Sequence, residues 1–183
     1  MMKTILAHLL CLSAIGAAHA YDPLEDRDSN DYAPPTEQWR EEAITLPETF
    51  DPDDLQRFTL KGDNDRFTYA IERKSLRTGD DGVSRFIVVI RSNQGAVNSS
   101  YEGLRCGHRE YRVYAYGSGQ GLTPLSGTLW QPIPKGASDY RAILYEDLIC
   151  NLLSGKANPP NAVFQAMRNG HQVNTPFFNS GRD

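Results

Sequence analysis

The chain has 183 residues, is 39% hydrophobic and 23% charged, and carries a formal charge of −4. That length and apolar content allow a real core, which excludes fibrous, collagen-like and wholly disordered classes. The acidity argues against nucleic-acid binding, which depends on neutralising phosphates, and beyond the N-terminus no apolar run approaches the ~20 residues of a membrane span.

Residues 1–20 read as a signal peptide. Lys3 supplies a positive start, residues 5–18 are mostly apolar, and Ala18-His19-Ala20 is a small-x-small cleavage site. Cleavage after Ala20 would leave Tyr21 as the mature N-terminus, with cleavage after Ala18 as the alternative. Leu9 and Leu10 before Cys11 are too large for lipid attachment. Residues 21–37 hold six acids, one base and three prolines, which reads as a flexible acidic leader. A single domain is expected over residues 38–169, and a loose tail over 170–183.

Within that domain the apolar period is first two. Residues 55–60 form a short candidate strand, 61–65 a turn, and Phe67, Tyr69 and Ile71 a second strand. A glycine- and aspartate-rich turn at 78–82 leads into 83–90, which is apolar on both faces and therefore expected to be central and covered on both sides. Residues 98–106 and 110–116 form the next pair around Gly107-His108-Arg109. This predicts an antiparallel meander of about five strands.

After Trp130 and three flanking prolines the period changes. Ser138 is a candidate cap, and Tyr140, Leu144, Leu148 and Leu152 recur every four residues with Ile143 and Ile149 beside them, which predicts the main helix, ended by Gly155. A second short helix is expected over 161–168, stopped by Gly170. The fold class is α+β: an antiparallel sheet with one main C-terminal helix packed on a face.

Removing the signal leaves two cysteines, Cys106 and Cys150. An even pair in an exported chain reads as a disulfide, here joining a strand end to the last turns of the main helix. The loop closed is ~45 residues, worth about 4 kcal/mol in the chain-entropy model.

Candidate chemistry is sparse. Residues 98–106 concentrate a carboxylate, a guanidinium and several hydroxyls. Glu102, Leu104 and Cys106 share the strand face that meets the helix, and a carboxylate there needs a partner. Tyr101, Glu102, Arg105, His108 and Arg109 are the candidate binding residues. The basic run through Arg112 is chemically suited to an anion, or else is a solvated tip balanced by Glu110. Tyr111, Tyr114 and Tyr116 are candidates for a groove lining, or else mark a half-buried sheet. Asp63-Asn64-Asp65 lacks the distal Glu of a calcium loop, and no zinc spacing, phosphate loop or nucleophile elbow is present, so neither metal nor cofactor is expected.

Trp39-Arg40-Glu41-Glu42, Phe67-Thr68-Tyr69, Gly79 to Arg85, Tyr101-Glu102-Gly103 with Arg105-Cys106, Tyr114-Ala115, Trp130 and the segment ending at Cys150 resemble the cryptic neisserial protein-like family over residues 39–155. The resemblance implies an exported protein of Gram-negative bacteria with one small domain, no established activity and no catalytic residues to carry over. The expected function is therefore a periplasmic or secreted binding or envelope-accessory module, meeting an envelope protein or a small polar or anionic ligand. The alternative is an envelope-polymer hydrolase using Glu102 as acid or base, with Glu110, Glu146 or Asp147 as second carboxylate.

Overall fold

The computed structural model describes residues 38–60, 66–135 and 139–170. The expected signal, leader and 171–183 portion of the tail lie outside these residues, as do the 61–65 turn and Ser138.

The five long strands of the expected meander are present. They are β1 (Leu55–Phe58), β2 (Phe67–Glu72), β4 (Val83–Ser92), β5 (Val97–Arg105) and β6 (Glu110–Ser118). Three two-residue strands, β3 (Arg77–Thr78), β7 (Thr123–Pro124) and β8 (Gln131–Pro132), raise the count from five to an eight-stranded antiparallel sheet. The spine runs β1-β2-β4-β5-β6-β7, with β3 on β4 and β8 on β6. Two residues are too few to show a period, and proline, lacking an N–H, marks β7 and β8 as edge pieces.

The helical region departs further from expectation. Asp139, rather than Ser138, caps α1 (Tyr140–Ile143), accepting a 2.8 Å hydrogen bond from the Arg141 N–H. The helix widens into a π-helix over Leu144–Ile149 and stops there. Cys150–Asn151 then forms β9, which pairs with β10 (Lys156–Ala157). The Asn151 side chain accepts from the N–H groups of Leu153 and Ser154, a local turn that competes with helix continuation. Leu152, read as the last rung of the stripe, is therefore exposed, as is Leu153. The longest helix among the described residues is α2 (Pro160–Asn169), with proline in its first turn and Gly170 at φ 64° closing it.

β4 separates two cores. Phe86 and Val88 point to the helix face, among Ile71, Leu104, Leu144, Ile149 and Val163. Ile87 and Val89 point to the outer face, among Phe50, Tyr101, Tyr114, Ala115 and Leu122. The outer face is covered by the extended segment 39–50, whose Ile44 and Leu46 pack on that core. Trp39 Nε1 donates to the Asp81 carbonyl at 2.9 Å, the Glu42 N–H to the Asp81 carboxylate at 2.9 Å, and Leu122 N–H to the Glu48 carbonyl at 2.7 Å. Both covers of β4 thus exist, and the second is extended chain, not a helix.

A bulge between Tyr101 and Glu102 reshapes the β5–β6 pairing, so that Tyr101 faces Ala115 and Glu102 faces Val113. The extra residue, Tyr114, joins Ala115 on the outer face. The three tyrosines do not line one groove: Tyr111 packs against the helix-face core, and Tyr114, an odd number of residues away, lies in the outer core. Gly103 makes room for Tyr114, because a Cβ there would sit 2.6 Å from its hydroxyl and 2.9 Å from Val83 Cγ1. Gly103→Ala is expected to destabilise by about 1–3 kcal/mol through overpacking, read by urea unfolding. A neutral result would show that Tyr114 swings aside freely.

The disulfide joins Cys106 and Cys150 with Cα atoms 5.3 Å apart. Cys106 follows β5 directly, as expected. Cys150 opens β9 instead of lying in a helix, so the bond ties sheet to hairpin.

Candidate functional site

Glu102 is fully buried on the helix face. Arg141, in the first turn of α1, meets it with two parallel donors, Nε at 2.8 Å and Nη2 at 2.7 Å. The hydroxyls of Tyr140 and Ser100 each donate to Oε1 at 2.6 Å. The Arg141 guanidinium also stacks over the rings of Tyr111 and Tyr140, at 4.2 and 4.5 Å from their centroids. Burial works against the charge on Arg141, but hydrogen bonding and attraction to Glu102 outweigh it and raise its pKa. The Tyr140 hydroxyl is pushed well above its usual range, first by burial and then by the Glu102 charge.

Above this pair opens a cleft of about 250 Å³. Ile90, Val113 and the rings of Tyr116 and Tyr140 form its apolar walls; Asn98 and Ser100 add polar groups. Tyr116 donates to Asn98 Oδ1 at 3.0 Å at the exposed rim. Glu102 is the one carboxylate lining the cleft among the described residues. Glu110 holds Arg105 at 2.9 Å, Glu146 holds Arg109 at 2.5 Å, and neither they nor Asp147 line it. Among the described residues no group of three or more His, Cys, Asp or Glu is placed to hold a metal ion. Asp63-Asn64-Asp65 lies outside them.

The other residues singled out from the sequence are dispersed. Tyr101 is buried on the outer face against Tyr114, their centroids 5.6 Å apart. Arg105 lies over the rings of Trp39 at 3.9 Å and Trp130 at 5.4 Å. His108 is exposed in the turn after β5. Arg109 bonds the carbonyls of Ile133 and Pro134 as well as Glu146, fastening the segment around β8 to the π-helix. Arg112 reaches Glu41 at 2.6 Å. The basic run is thus not a free cluster, because its arginines already hold carboxylates.

Arg141 went unnoticed in the sequence, although a cation in a first helical turn opposes the helix dipole and suggests a carboxylate partner. A second polar network was also missed. Arg85, 2% exposed near the start of β4, holds Asp81 at 2.5 Å and approaches Glu41 at 3.5 Å. Glu41 also accepts from the Tyr114 hydroxyl at 2.5 Å. Burial and the Glu41 carboxylate raise the Tyr114 pKa, while Asp81 is held below the usual carboxylate range because Arg85 and backbone N–H groups outweigh its burial. The signal was an arginine directly before the apolar run Phe86 to Ile90 of β4.

The model of the CNP1-like family matches residues 35–168. The chain belongs to the CNP1-like family. The match takes in every strand and nearly all of α2, so it extends past residue 155, where the sequence resemblance stopped. No curated protein and no solved structure matches the chain. Among the described residues of this CNP1-like chain, no helix is long and apolar enough to cross a membrane.

Proposed function

We propose that this CNP1-like chain is an exported periplasmic or secreted protein of the Gram-negative envelope, acting as a non-enzymatic binding or accessory module with its ligand site in the cleft over Glu102. Export is supported by the signal-like residues 1–20 and by a disulfide of the kind oxidising compartments preserve. The resemblance to the cryptic neisserial protein-like family points the same way. The observation that carries the binding reading is the engagement of Glu102 by four hydrogen bonds. An acid or base needs an oxygen free to exchange a proton with substrate, and a second carboxylate to share the work. A fixed carboxylate instead holds Arg141, Tyr140 and Ser100 in place around a cleft with apolar walls and few polar groups, the usual make-up of a small-molecule site.

A thermal-shift screen of small polar molecules, including envelope glycan fragments, tests the reading. A ligand at about 100 times its Kd should stabilise the wild type by roughly 2.7 kcal/mol. Tyr116→Ala and Asn98→Ala, both at exposed positions, should abolish that gain while changing unliganded stability by no more than about 0.5 kcal/mol. A gain that survives both changes would refute the cleft as the site. Turnover of a glycan that disappears in Glu102→Gln would establish the hydrolase instead.

A further inference from the structure

The arginines with charge to spare are not those the sequence clustered. Arg73, Arg85, Arg105, Arg109, Arg112 and Arg141 all hold carboxylates. Arg57 on β1 and Arg91 on β4 are exposed and form no ion pair among the described residues. Their register places them together. Arg57 is opposite Ala70, Ala70 is opposite Val89, and Arg91 is opposite Thr68, so all five residues project from the outer face. Two strand spacings across and two residues along the strands separate the arginine backbones by about 12 Å, a span that two long side chains can close on a shared ligand. Both arginines line one cleft of about 280 Å³ together with Thr68, over a floor of Leu55, Ala70 and Val89.

We infer that this cleft is an anion site, separate from the Glu102 cleft, and that it takes a phosphate monoester carrying a short apolar group. Two guanidiniums match the two charges of the monoester dianion and present planar pairs of N–H donors to its oxygens. Thr68 adds a hydroxyl donor, and the aliphatic floor receives the ester carbons. A plain inorganic ion would leave that floor unused.

Calorimetric titration of the whole protein at low salt, with inorganic phosphate and with hexyl phosphate, tests the site. Hexyl phosphate should bind several-fold more tightly than inorganic phosphate. Arg57→Gln and Arg91→Gln should each weaken it about tenfold or more, the scale of one lost hydrogen bond to a charged group. Their circular dichroism and Tm should stay at wild-type values, since both side chains are exposed. Arg168→Gln, which removes a charge from the exposed face of α2, should bind within about twofold of wild type, showing that local contacts rather than overall charge are read. Co-sedimentation with phosphatidylcholine vesicles containing phosphatidic acid, lost in the double variant, would make the source a lipid headgroup. Hexyl phosphate binding without co-sedimentation would make it a soluble ester. Undiminished binding in the Arg57→Gln/Arg91→Gln double variant, equal weakening in Arg168→Gln, or no binding at about 10 mM of either probe would each overturn the inference.

Discussion

Replacing Arg141 with alanine is expected to lower the free energy of unfolding by about 3–5 kcal/mol, the usual cost of stranding one member of a buried ion pair. Glu102 has no solvent exposure beneath Arg141, so in the native fold its charge is neutralised by that guanidinium rather than by water. Ser100 and Tyr140 would still donate, but two neutral hydroxyls do not neutralise a buried charge. Tyr140 and Tyr111 would also lose the cation lying against their rings. The double variant Glu102→Leu/Arg141→Met should recover most of the loss, because an apolar pair of similar volume needs no desolvated charge. Urea unfolding of the three proteins reads this directly. A loss below about 1 kcal/mol in Arg141→Ala would mean that solvent reaches the pair and screens it, as at a surface bridge.

Cys150→Ala is expected to cost about 2–5 kcal/mol, the range for removing a native disulfide from a small exported domain. The bond closes a separation of 44 residues and fastens the end of β5 to β9. Without it, the β9–β10 hairpin keeps its short ladder and the 2.7 Å bond from the Asn158 N–H to the Ile149 carbonyl, but no covalent tie to the sheet. Limited proteolysis should therefore cut first between β9 and β10, where Leu153 is fully exposed. Thiol labelling of the denatured wild type without reductant should find neither Cys106 nor Cys150. Labelling of both, or an unchanged proteolysis pattern in Cys150→Ala, would remove the disulfide from the account of stability.

Local pattern was enough for some features. The two-sided apolar run of β4 survives in the sheet, because each side chain's face follows from strand geometry alone, whereas β2 does not alternate in burial but passes from exposed Phe67 to buried Ala70, Ile71 and Glu72. The helix-facing position of Glu102 followed from the same parity, and its need for a partner from the cost of burying a charge. The pairing of Cys106 with Cys150 followed from counting. Where residues compete for more than one partner, pattern failed. The four-residue stripe from Tyr140 to Leu152 is a sound helical signal, yet Asn151 closes a turn and Cys150 is drawn into extended chain beside Cys106.

The sequence by itself therefore determined the fold class, the central strand, the disulfide and the burial of Glu102, all of which depend on period, count or charge within one segment. Only the tertiary structure decided which partner each charge takes. Arg141 reaches Glu102 across 39 residues, and Arg112 reaches Glu41 across 71. The Tyr101/Glu102 bulge sets Ala115 opposite Tyr101 on the outer face, and Arg57 and Arg91 meet no carboxylate among the described residues. Such pairings depend on the register of strands and the route of the covering segments. A charged side chain carries no mark in the sequence of which distant chain will pass within its reach.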